Sequence, residues 1–167
     1  QGYYQILEDT LIASRLPPYL KSARKRLVLH PKYYLFDTGV IQSLMGLAGQ
    51  KVSEGTSWYG RLFEHFVILE ALRLSSYANN NWRFYHWRTS GGAEVDLIIE
   101  TPRKLWAVEI KTLNRIEQSN LQGLRSFLED YPKAQAVCVS PASRAYRAGA
   151  FTVVPWQELF GPGYLDF

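Results

Sequence analysis

Two strand-like runs joined by a three-residue turn constrain the fold of this chain more than any other feature. The first is Glu94-Val95-Asp96-Leu97-Ile98-Ile99-Glu100. The second, over 104–111, contains Trp106-Ala107-Val108-Glu109-Ile110-Lys111. Both are rich in Val, Ile and Leu with polar residues spaced by two, the pattern of β-strands. Thr101-Pro102-Arg103 between them is short enough for a hairpin. Alternate residues of a strand share a face. Glu109 and Lys111 therefore lie together, and Asp96 joins them if the two strands pair.

Two carboxylates and an ammonium at one sheet edge suit a divalent metal that works on phosphate. Mg²⁺ takes oxygen ligands and is typically held by one or two carboxylates while keeping water. Asp96 and Glu109 supply that pair, and the carbonyl of Ile110 offers a third oxygen. Lys111 is placed to orient water or to stabilise charge on a phosphate in its transition state. Mg²⁺, or Mn²⁺ in its place, is the expected cofactor.

The flanking sequence sets these strands in an α/β chain. Residues 58–77 carry Leu62, Phe63, Phe66, Val67, Leu69, Ala71 and Leu72, a wide apolar arc that predicts a largely buried helix. Glu64 lies on it, able to act as an outer ligand or to orient metal-bound water. Asn79-Asn80-Asn81 ends the helix. A strand over 82–88 precedes the hairpin, and Gly91-Gly92 makes the intervening turn. A helix over 117–130 and strands over 134–140 and 151–154 come next, then a helical turn over 156–160. The order from residue 58 is helix, three strands, helix, strand, and the passage from 104 to 140 is long enough for a right-handed parallel crossover. Upstream, the spacing predicts a helix over 3–14 stopped by Pro17-Pro18, a strand over 26–30, an extended stretch over 31–37 and a short helix over 41–47.

Composition narrows the class. Hydrophobic residues make up 47% of the 167, enough for a folded core. No run of about 18 apolar residues exists, so no membrane span is expected. A lone Cys138 in an apolar strand excludes an intramolecular disulfide and a cysteine zinc site, and fits a reducing, cytoplasmic setting. The net charge of +4 permits a nucleic-acid partner without requiring one. The basic run Lys21, Arg24, Lys25, Arg26 is a candidate contact for DNA, as is Arg88 at the strand end. His65 and His86 read as packing residues. Gln118 and Gln122 lie just beyond the Glu-X-Lys strand. No G-x-x-x-x-G-K-[ST] occurs, so there is no ATP site in this chain.

The order of elements, with Asp96, then Glu109 and Lys111, and Glu64 on the first helix, resembles the PD-(D/E)XK nuclease superfamily and its restriction-endonuclease-like αβββαβ core. Val95 stands where that pattern has Pro. A wider resemblance rests on Tyr3-Tyr4-Gln5-Ile6-Leu7-Glu8-Asp9-Thr10, Pro31-Lys32-Tyr33-Tyr34-Leu35-Phe36-Asp37-Thr38-Gly39, Gly60-Arg61-Leu62-Phe63-Glu64, Trp87-Arg88-Thr89 and Glu94-Val95-Asp96. These are similar to the C-terminal half of a large family of prokaryotic AAA+-type ATPases. The resemblance implies an upstream ATPase domain, a winged-helix remnant over 1–47, and a nuclease-like domain over 48–167. It implies Mg²⁺-dependent cleavage of DNA, or, where the fold is reused without catalysis, a module that docks the ATPase to DNA or to a protein.

Overall fold

The computed structural model describes residues 2–21, 25–113, 115–161 and 164–165. Arg24, one of the candidate DNA contacts, lies outside them. The centre is a six-stranded mixed sheet in the order β3-β4-β5-β6-β8-β7. Its strands are β3 (Arg83–Arg88), β4 (Glu94–Glu100), β5 (Leu105–Ile110), β6 (Gln135–Ser140), β7 (Tyr146–Ala148) and β8 (Phe151–Pro155). β3, β4 and β5 run antiparallel, and β6 and β8 continue parallel to β5. The expected hairpin is present, in the register Leu97 opposite Val108 through Glu100 opposite Leu105.

Helices cover both faces, as a mixed sheet with apolar residues on both sides requires. The 21-residue α3 (Ser57–Tyr77) starts at Thr56, whose side chain accepts the Tyr59 N–H. It packs Phe63, Val67, Ile68 and Ala71 against Leu97, Ile99, Val108 and Ile110. On the other face a 3₁₀ turn (Gln118–Leu121) leads into α4 (Gln122–Asp130), and Leu121, Leu124 and Phe127 pack against Ile98, Ala107 and Cys138. The expected helix over 117–130 is thus two pieces. Cys138 is fully buried, as its apolar strand implied.

The N-terminal part differs from expectation in detail. Helix α1 (Tyr3–Asp9) stops well short of residue 14. The Thr10 hydroxyl donates to the Ile6 carbonyl, Leu11 turns left-handed at φ 58°, and Ile12 N–H closes back on Leu7. This is a helix-ending reversal normally built on glycine. The chain then enters strand β1 (Ala13–Leu16), paired antiparallel with β2 (Lys32–Leu35). Residues 26–30 form only an isolated bridge, Leu27 to Thr89, because the chain there runs along the outer edge of β3. Tyr19 N–H donates to the His86 carbonyl, His86 N–H to Pro17, and Val28 N–H to Arg88. Such cover protects an otherwise open sheet edge. Helix α2 (Thr38–Leu44) is capped by Asp37, whose carboxylate accepts the Gly39 N–H at 2.7 Å. A four-residue α5 (Trp156–Leu159) is the last described helix.

Candidate functional site

The end of the sheet where β4 and β5 part brings together Asp96, Glu109 and Lys111. Regular pairing of the two strands stops at Leu97 and Val108. Beyond it, the Asp96 carboxylate takes over the role of a main-chain partner, and its Oδ2 accepts the Ile110 N–H at 2.8 Å. The parting has a local cause. β4 holds two residues, Asp96 and Leu97, opposite the single His86 of β3. This β-bulge shifts the alternation by one, so that Val95 and Ile98 face α4 while Leu97 and Ile99 face α3. Bulges of this kind bend a strand and re-aim a side chain.

Glu109 follows Val108, which faces α3, and so turns toward α4. The residue is 5% exposed. Lys111 Nζ stands 2.6 Å from Glu109 Oε1, and Glu109 Oε2 is buried with no hydrogen-bond partner among the described residues. Helix α4 closes over this point through Gly123. A Cβ there would meet the Glu94 carbonyl oxygen at 1.7 Å and Glu109 Oε2 at 3.2 Å. Only glycine lets the helix lie this close.

Burial, then the charges of Glu109 and Glu64, push the Asp96 carboxyl well above the usual carboxylate range. Burial also raises Glu109, against the opposing pull of Lys111. Burial works against the Lys111 ammonium, but Glu109 and Asp96 outweigh it and hold its pKa above the ordinary value. The site therefore favours positive charge and resists further negative charge.

Glu64 reaches this neighbourhood from α3. Its Oε1 accepts the Tyr34 hydroxyl at 2.9 Å and lies 3.2 Å from Lys32 Nζ. Lys32 also stands 2.7 Å from Glu94 Oε1, and Arg88 Nε lies 3.8 Å from Glu94 Oε2. The carboxylates of Glu64, Glu94 and Asp96 overcome burial and keep Lys32 charged. From sequence, Glu94 reads as an exposed strand start, with an acid supporting Asp96 as the alternative, and Tyr34 reads as core. Lys32 carries no signal of its own, since only the folding of β2 against α3 brings it here.

Lys21, by contrast, pairs with Glu100, at the other end of β4 from Asp96. Lys25 Nζ bonds the Ser126 carbonyl at 2.7 Å and Glu129 at 2.7 Å, and lies over Trp87. Arg26 is exposed, and its carbonyl accepts the Ser90 N–H. His65 and His86 bond the carbonyls of Leu35 and His30 at 2.6 and 3.0 Å, so each ties the N-terminal segment to the core. Gln118 packs against Gly149 beside the β7–β8 turn.

No group of three His, Cys, Asp or Glu side chains among the described residues is arranged to hold a metal by itself. A metal here would rest on Asp96, Glu109, the Ile110 carbonyl and water, a set that suits Mg²⁺. The free Glu109 Oε2 and the mutual repulsion of the two acids fit a cation at that point.

Residues 59–159 match a family model described as a domain of unknown function, DUF4143. The chain belongs to this family. Residues 1–51 match a second model, also a domain of unknown function, DUF8612. Among curated proteins, the chain is 30% identical over 170 residues to the uncharacterized protein Rv2008c of Mycobacterium tuberculosis. It is equally similar to the uncharacterized protein Mb2031c of Mycobacterium bovis. In each case 98% of this chain is covered, and it spans 36% of the relative's length. No helix among the described residues is long and apolar enough to cross a membrane.

Proposed function

We propose that this DUF4143 domain is a Mg²⁺-dependent DNA phosphodiesterase of the PD-(D/E)XK type. Its restriction-endonuclease-like core would be α3, β3–β5, α4 and β6. The observation that carries this reading is Glu109 Oε2, a carboxylate oxygen buried without a partner among the described residues, beside Lys111 and Asp96 at the fork of two strands. A buried polar atom left unsatisfied is costly unless something else binds it. Bound between Asp96 and Glu109, a divalent ion supplies neutralisation of the phosphate and a water of lowered pKa.

Hydrolysis forms one P–O bond from water and breaks one P–O ester bond, and the leaving oxygen takes a proton. Lys111 faces the charge that grows on the phosphate oxygens. Glu64, held by Tyr34, is positioned to accept a proton from water or to orient it. Two clefts, of about 370 and 700 Å³, flank the 101–104 turn at the other end of β4 and β5. They hold none of these groups, and a DNA backbone needs an open edge, not an enclosed pocket.

DUF4143 domains are commonly found with AAA ATPase domains. The proposed setting is therefore a larger ATPase whose DNA the domain cuts. A docking module is the second reading, favoured by one observation: Lys32 and Lys111 already pair with Glu64, Glu94 and Glu109. The test is Mg²⁺- and Mn²⁺-dependent nicking of supercoiled and single-stranded DNA by the full-length protein. Cleavage should vanish in Asp96→Ala and Glu109→Ala. Cleavage by neither metal in the wild type, or undiminished cleavage by both variants, establishes the docking reading instead.

A further inference from the structure

We propose that Lys32 is a built-in counter-ion that limits this site to a single divalent cation. The inference rests on the metal-site reading above. The end of β4 and β5, with α3 beside it, gathers four carboxylates, Glu64, Glu94, Asp96 and Glu109, and they divide into two pairs. Asp96 and Glu109 leave an oxygen, Glu109 Oε2, without a partner among the described residues. Glu64 and Glu94 do not stand open in the same way. The Lys32 ammonium lies between them, 3.2 Å from Glu64 Oε1 and 2.7 Å from Glu94 Oε1.

Two carboxylates around one point are what a hard divalent ion needs, with water filling the other positions. Phosphodiester hydrolysis by two ions places them about 4 Å apart. Here the carboxylates that would hold a second ion are taken by a lysine. The lysine is not loosely placed. Its strand, β2, is fixed by pairing with β1 and by Tyr34, whose hydroxyl donates to the same Glu64 oxygen at 2.9 Å. One residue beyond Tyr34, the Leu35 carbonyl is bonded by His65 at 2.6 Å. A divalent ion entering between Glu64 and Glu94 would have to expel an ammonium into contact with its own charge. At this range and in a partly desolvated setting that repulsion is severe.

The arrangement also gives the N-terminal segment a part in the site. Lys32 lies within residues 1–51 and all four carboxylates lie within residues 59–159, so two separately matched segments meet at this cluster.

Mn²⁺ is the probe. Equilibrium dialysis with metal analysis counts the ions, and electron paramagnetic resonance distinguishes an isolated Mn²⁺ from an exchange-coupled adjacent pair. Wild-type full-length protein should bind one ion with an uncoupled spectrum. Lys32→Met keeps the aliphatic stem and removes the charge, and should bind two with a coupled spectrum. Lys32→Arg keeps the charge and should return the count to one. Adding Glu94→Gln to Lys32→Met removes a ligand and should do the same.

A coupled pair in the wild type overturns the proposal, and that measurement stands if Lys32→Met fails to fold. One ion in the wild type and still one in a folded Lys32→Met also overturns it, while leaving the Asp96–Glu109 metal site intact. No bound ion in the wild type removes that site and this inference together.

Discussion

Lys111 shows how one side chain serves both the resting site and the proposed chemistry. Its ammonium pairs with Glu109 Oε1, and both Glu109 and Asp96 keep it charged despite burial. Lys111→Met keeps the stem that lies along the sheet and deletes the charge. Turnover in the nicking assay should fall about 10²-fold or more, the scale of losing one charge-stabilising group. Wild-type turnover in that variant would remove Lys111 from the mechanism.

The two buried histidines predict a pH effect. Burial pushes both His65 and His86 below the ordinary imidazole range, only partly offset by their bonds to the carbonyls of Leu35 and His30. A group whose folded pKa is depressed binds its proton first in the unfolded chain. As pH falls through about 6.5, the unfolded state therefore gains protons that the folded state does not, and stability is lost. Asp96 and Glu109 act in the opposite sense, because raised carboxyl pKa values favour the folded state as pH falls. The contribution of the histidines is thus isolated by comparison at each pH. Thermal unfolding of His65→Gln/His86→Gln should show a smaller drop than wild type between about pH 7.5 and 5.5, the range that brackets the ordinary imidazole pKa. Parallel curves would show that neither histidine is held neutral.

At the scale of elements, Gly123 decides whether α4 can cover the site. A methyl group there would collide with the Glu94 main chain. Backbone cannot swing aside as a side chain can, so Gly123→Ala should cost about 3 kcal/mol. For a chain of this size that is roughly 6–12 °C in melting temperature. An unchanged melting temperature would mean that α4 packs less closely than this.

Elements with strong local patterns are legible in the sequence. β4 matches its expected bounds, and α3 lies within one residue of its own. A long, wide apolar arc and an unbroken run of β-preference leave few alternatives. The short β7 is not legible in this way. Tyr146-Arg147-Ala148 has too few positions to show alternation, and it becomes a strand only by pairing with β8. β1 reads as helix because Leu7, Leu11 and Ile12 continue a helical spacing past the point where Leu11 reverses the chain. Asp96, Glu109, Lys111 and Glu64 are legible as candidate-site residues because strand alternation and helix position place them. Lys32 and Tyr34 are not, and Glu94 is so only in the lesser of its two readings. The contacts of Lys32 and Tyr34 with Glu64, and of Lys32 with Glu94, join distant parts of the sequence, and no local pattern encodes such a meeting.

At the scale of the whole molecule, the distribution of positive charge matters more than the net +4. From sequence the basic run is a candidate DNA contact or a solvated turn. In the structure Lys21 pairs with Glu100, and Lys25 with Ser126, Glu129 and the Trp87 ring, so both tie the covering segment to the core. Arg26 and Arg88 are differently placed. Arg26 is exposed beside the β3–β4 turn, through the bond from Ser90 N–H to its carbonyl. Arg88 ends β3 at the same end of the sheet as Asp96, with a long, half-exposed contact to Glu94. A phosphate backbone approaching Asp96 and Glu109 would pass these two guanidinium groups, not Lys21. Each phosphate contact releases about one counter-ion, and its loss reduces the salt dependence of binding by about one unit of slope. Fluorescence anisotropy with a DNA duplex between about 50 and 200 mM salt spans the range in which that slope is measurable. Arg26→Ala and Arg88→Ala should each lower the slope by about one. Lys21→Ala and Lys25→Ala should leave it unchanged, and Lys25→Ala should lower the melting temperature. Equal losses of slope from the two lysines would show that their internal ion pairs open on DNA, and would return the basic run to the interface.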